Sequence, residues 1–190
     1  LHLLAALDPA ALMPAAAAAL SGPEDVHLAL NAIEAIGSLP PTANGQVAAA
    51  LIGVLRRTAN RELLEKAAAC LGEKADVDIT AGLSDLYRLG SPLPREAALI
   101  CIDRQIATGR LANREGTAEF LYRVLREAAP VDRGRAAALL WKLGDDYALE
   151  VSRDLLATAA PPERAALLLA LRGHLRPALV PALEGQLGDG

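Results

Sequence analysis

The sequence predicts an all-α protein assembled from repeated helix pairs. Three observations carry that reading. Aromatic residues make up only 3% of a chain that is 53% hydrophobic, so the core must be built from Ala, Leu, Ile and Val. Ala and Leu are strong helix formers, and small side chains let helices approach closely. Apolar residues recur at offsets of three and four, the helix period, and no stretch alternates as a strand would. Finally, glycines that follow apolar helical runs stand at nearly even spacing.

Those runs are "LALNAIEAIG" ending at Gly37, "ELLEKAAACLG" at Gly72, "ALICIDRQIATG" at Gly109, "RAAALLWKLG" at Gly144 and "RAALLLALRG" at Gly173. The intervals are 35, 37, 35 and 29 residues, within the range of helical repeats. One position before the glycine stand Ile36, Leu71 and Leu143; four before stand Ile33, Ala68, Leu140 and Leu169; eight before stand Ala29, Leu64, Ala136 and Ala165. The third copy, with Ile102 and Ile106, fits with a shift of one residue. Each glycine is expected to close its helix in the left-handed conformation.

The elements follow in order. "LHLLAALDPAALMPAAAAALSG" reads as a helix, with Asp8 as N-cap and Pro9 in the first turn. It lacks the basic start of a signal peptide and carries Asp8 and Pro9 inside. Between the glycine-ended helices lie second helices over 45–58, 77–90, 114–129 and 147–160. Asn60, Ser91 and Asn113 precede helical runs as N-caps. Pro40, Pro41, Pro130, Pro161 and Pro162 fall in connections, where a missing N–H costs little. The expected units are 3–39, 40–75, 76–110, 111–145 and 146–175, with a terminal helix over 176–188.

The pattern "RAAALLWKLGDDYAL", echoed more loosely by "AIEAIGS", "AAACLGE" and "LALRGHL", resembles the HEAT and HEAT-like repeats of the bilin-lyase type. The resemblance spans roughly residues 3 to 188. It implies a right-handed α-α superhelix, a solenoid of about five helix-turn-helix units. It carries no particular activity, because such repeats serve many roles. Tetratricopeptide repeats share the period, but their spaced aromatic positions are not reproduced here.

Composition narrows the function. The net charge of −4 disfavours a nucleic-acid binder, which needs a basic stripe. No apolar run is long enough to span a membrane. Cys70 and Cys101 sit in apolar helical runs and read as buried free thiols, with neither a disulfide framework nor a zinc pattern. His2, His27 and His174 lack ligand spacing, and no nucleophile elbow or phosphate loop is present. No catalytic residue, metal or cofactor is therefore assigned. Glu24 with Asp25, Asp76 with Asp78, and Asp145 with Asp146 stand at helix starts, where capping accounts for them. Arginine outnumbers lysine 16 to 3 and concentrates in the middle units, from Arg95 through Arg104, Arg110 and Arg114 to Arg135. That is the best candidate for an anionic contact.

A scaffold that binds a protein or peptide partner fits these features, with the glycine-ended helices lining its inner face. The candidate contact residues are Asn31, Lys66 and Asp103, six positions before their glycines, with Glu34, Arg104 and Lys142 beside that lane. Trp141, the single tryptophan, joins them as either a core filler or an exposed contact. The resemblance also admits an enzyme, an alkylpurine DNA glycosylase or a bilin lyase, though an acidic, aromatic-poor chain fits poorly. A third reading is an architectural segment of a larger multidomain protein, self-associating through its terminal helices; the start without Met is compatible with that. A cytoplasmic location is favoured.

Overall fold

The computed structural model describes residues 9–21, 25–74, 77–89, 91–171 and 180. Among them every regular element is helical, so the protein is all-α. Among the described residues ten α-helices follow one another: α1 (Pro9–Ser21), α2 (Val26–Gly37), α3 (Asn44–Arg57), α4 (Arg61–Glu73), α5 (Thr80–Arg88), α6 (Pro92–Ala107), α7 (Arg114–Glu127), α8 (Pro130–Lys142), α9 (Tyr147–Thr158) and α10 (Pro161–Leu171). A short 3-10 turn, Pro41–Ala43, precedes α3. The chain divides into two compact units, Leu1–Arg114 and Glu115–Gly190.

In the first unit the helices form two rows. α2, α4 and α6 pack side by side in chain order, and so do α1, α3 and α5. Each helix of the first row also packs on the helix just before it in the chain. The core between the rows is aliphatic: Leu12 of α1, Ile33 and Ile36 of α2, Leu51 and Leu55 of α3, Leu71 of α4, Leu83 and Leu86 of α5, and Ile102 of α6. Burying each such side chain contributes roughly 1.5–3 kcal/mol relative to exposure.

Polar contacts along the chain repeat near the glycine interval. Arg61 reaches Glu96, Lys74 the carbonyl of Leu39, and Asn113 the carboxylate of Asp78, each across 35 residues. Arg110 donates to the carbonyl of Glu73, and Cys70 lies 3.9 Å from that of Ile33, each across 37 residues. Side chains on one helix pair thus find their partners one period away, as in a packing of sequential copies.

The glycines divide into two kinds, which corrects the expectation of a uniform helix stop. Gly109 (φ 67°) and Gly144 (φ 76°) are left-handed. Each sits in a Schellman closure: Arg110 N–H donates to Gln105 and Gly109 N–H to Ile106, as Asp145 does to Leu140 and Gly144 to Trp141. Gly37 and Gly72 instead lie inside their helices. Both sit where a neighbouring helix comes close, and Gly72 is the one that faces atoms unable to rotate away. A Cβ on Gly37 would meet Cys70 Sγ at 2.8 Å; one on Gly72 would overlap Arg104 Cβ and stand 3.0 Å from the Cys101 carbonyl. Gly173 lies outside the described residues.

In the second unit α8 and α10 pack side by side, and α9 packs on both. Gly134 lets α8 meet the backbone of α10, since a Cβ there would stand 2.9 Å from Leu167 Cα. The run Ala136 to Trp141 is buried without a break, so α8 is covered on every side rather than along one stripe.

Capping is partly as expected. Asp25 accepts from Leu28 N–H at 3.0 Å and Asn60 from Leu63 N–H at 3.1 Å. Ser91 stands at the N-cap of α6 without a side-chain bond. Asn113, just before α7, donates its side-chain N–H to Asp78 at 2.8 Å. Asp145, not Asp146, caps α9, accepting from the N–H groups of Tyr147 and Ala148 at 3.0 and 3.4 Å. Pro130 and Pro161 are first helical residues rather than connections, which suits a ring that fixes φ and needs no donor there. Asp8 and Asp76 lie outside the described residues.

Candidate partner-binding face

The row α2–α4–α6 carries most of the polar lane. Asn31 and Glu34 of α2, Lys66 of α4 and Arg104 of α6 are exposed, and Asp103 is half-buried. Lys142, half-buried on α8, belongs to the second unit. Trp141 leaves the lane: it is 3% exposed, and of its two possible roles it takes that of core filler. The physical reason is the close packing around α8, which turns the whole of its last turns inward.

Two lane residues are brought together. Glu34 and Lys66 both line a cleft of about 350 Å³, whose apolar lining is Ile33, Gly37, Ala69 and Cys70 and whose remaining polar residues are Glu73, Lys74 and Arg110. Asn31, Asp103 and Arg104 do not line it. The last three polar residues were not singled out as a group by the sequence. A signal was present: Lys74 and Arg110 stand two and one positions after Gly72 and Gly109.

Local structure explains the cleft. Small residues at 37, 69 and 70 leave room between the ends of α2 and α4, and the two helices touch through Gly37 and Cys70. Lys74 Nζ donates to the Leu39 carbonyl at 3.0 Å, and Arg110 Nη1 to the Glu73 carbonyl. Both cations thus cap the end of the preceding helix pair, where carbonyls lack intrahelical partners and positive charge is favoured. Their charges rest on neutral carbonyls. Among the described residues, the ion pairs Arg56–Asp85, Arg61–Glu65, Arg61–Glu96 and Arg88–Asp85 involve none of the cleft residues.

The thiols are not activated. Burial pushes Cys70 up, with Glu73 adding to the shift while Lys74 and Lys66 oppose it. Burial likewise pushes Cys101 up, and its Sγ lies 3.4 Å from the Ala68 carbonyl. A thiolate nucleophile needs the opposite environment. No group of His, Cys, Asp and Glu able to hold a metal occurs among the described residues. Tyr122 donates to Asp145 at 2.5 Å; desolvation first, then this hydrogen bond, pushes its phenol up to about 12. With two backbone N–H groups also bound, that carboxylate is occupied as a cap. Among the described residues no helix is long and apolar enough to cross a membrane.

The chain matches no protein-family model, no curated protein and no solved structure.

Proposed function

We propose that the chain is a non-enzymatic scaffold that binds a protein or peptide along the row α2–α4–α6, and that its helix pairs belong to a HEAT-like α-α superhelix. The observation that carries this reading is the cleft between α2 and α4. Among the described residues, its five charged side chains, of both signs, enter no carboxylate–cation pair. Charges of mixed sign beside an apolar floor suit an interface in which a partner supplies the complements. Stacked helix pairs offer such a face over a long span. An enzyme would call for a nucleophile with a base, or a carboxylate held for proton transfer. The Asp25, Asp78 and Asp145 carboxylates accept local hydrogen bonds, and burial raises both thiols rather than activating them.

The test is an affinity capture from a cell lysate, using the chain beside a variant carrying Lys66→Glu, Arg104→Glu and Lys142→Glu. A protein retained by the first and lost by the second is the expected result. Retention of nucleic acid, or of nothing specific, would remove the scaffold assignment.

A further inference from the structure

We infer that the cleft between α2 and α4 is a receptor for a carboxylate, an Asp or Glu side chain on an extended segment of the partner. The inference rests on the scaffold reading and adds the chemistry of what is bound.

The cleft cations hold N–H donors in excess of the acceptors they meet. Lys66, Lys74 and Arg110 surround the cleft with three cations against the two carboxylates of Glu34 and Glu73. Lys74 and Arg110 each give one donor to a main-chain carbonyl. An ammonium and a guanidinium keep further N–H donors after that, and Lys66 brings its own ammonium. These donors lie close together because the capping bonds fix two of the cations at the ends of adjacent helix pairs. A carboxylate is acceptor-only and matches the guanidinium fork. The floor is small and apolar, formed by Ile33, Gly37, Ala69 and Cys70, so it accommodates the methylene stem of an acidic side chain. The local excess of positive charge is set in a chain of net charge −4, so the cleft stands out electrostatically from its surroundings. Glu34 and Glu73 add selectivity: they repel a densely acidic segment and accept the N–H groups of a backbone carrying an isolated acid.

The experiment selects displayed random peptides against the immobilised full chain. Selected peptides are measured by fluorescence polarisation against the wild type, against Lys66→Glu, and as their own Asp→Asn or Glu→Gln variants. Labelling of Cys70 by a thiol reagent is followed with and without peptide. Lys66 is exposed, so reversing its charge leaves the core intact.

The expected result is a single acidic position shared by the selected peptides, with affinity falling about tenfold on Lys66→Glu or on neutralising that acid. Bound peptide should also slow the labelling of Cys70. Peptides that bind Lys66→Glu equally well and leave Cys70 labelling unchanged would overturn the cleft and leave the scaffold reading standing. Peptides selected for a basic position would overturn the carboxylate assignment. Failure to select any peptide on any face would overturn both.

Discussion

Replacing Gly72 by alanine tests how α4 and α6 meet. The new Cβ would overlap Arg104 Cβ and lie 3.0 Å from the Cys101 carbonyl oxygen and 3.3 Å from Arg104 Cγ. A Cβ is fixed by its own backbone, so Arg104 cannot swing clear by changing rotamer. Ordinary contact between carbon atoms is near 3.5–4.0 Å, so the two helices must part by roughly an ångström. Overpacking of this kind costs about 1–3 kcal/mol. The helix preference of Ala over Gly returns up to about 1 kcal/mol, less so near a helix end. The net expectation is a loss of about 1–2 kcal/mol. Two controls separate sterics from propensity. Gly37→Ala meets only Cys70 Sγ, at the end of a rotatable side chain, so it should be close to neutral. Gly45→Ala meets nothing within 4 Å and should stabilise by about 0.5–1 kcal/mol. Urea unfolding followed by helical circular dichroism gives the order. With a slope of about 1–3 kcal/mol per molar, the Gly72→Ala midpoint should fall by about 0.5–1 M. A Gly72→Ala midpoint equal to that of Gly45→Ala would refute the close approach of the two helices.

Other consequences can be measured alongside. Gly109→Ala forces a side chain into the left-handed region and should destabilise by about 1–2 kcal/mol, although its Cβ would meet nothing within 4 Å. Asp145→Ala removes the α9 cap and the acceptor of Tyr122, a loss of about 1–2 kcal/mol by urea unfolding. Tyr122 should ionise near pH 12, followed by tyrosinate absorbance. Because its folded value lies above the usual value of about 10, that contribution to stability is complete below pH 10 and fades as pH rises toward 12. Asp78 is held below the usual carboxylate range, first by the Asn113 side chain and then by Thr80. Its contribution is present above the unfolded value and is lost as pH falls through the folded one. In Asn113→Ala the Asp78 carboxyl should titrate closer to normal by NMR; an unchanged value would exclude that bond.

Periodicity made the helices legible, and the even spacing of glycines marked copies whose polar contacts recur one period apart. Chemistry made Asp25, Asn60 and Asp145 legible as caps, because short acceptors before apolar runs have few other uses. The role of each glycine was not legible. A glycine in sequence permits both a left-handed stop and a close approach, and the choice depends on what the neighbouring helix presents, as Arg104 does to Gly72. Trp141 shows the same limit, since its burial is decided by neighbours remote in sequence. Two of the five charged cleft residues, Glu34 and Lys66, were visible in the polar lane, and Arg110 as one of a cluster of arginines. Glu73 and Lys74 were not, because a charge at a helix end looks like an ordinary solvated one until the neighbouring helix pair is seen beside it.

Those two cations give the chain a direction. Lys74 completes a helix pair that ended before it, and Arg110 completes the one to which Lys74 belongs. Two successive helix pairs of the first unit are thus each closed by a cation of the pair that follows. Duplication of a whole period there would insert a helix pair together with the group that seals the one before. A deletion of one full period rejoins Leu39 to a cation of the same register, whereas a cut of arbitrary length leaves a helix end unsealed. Tolerance to insertion and loss should therefore come in steps of one period rather than continuously along the chain.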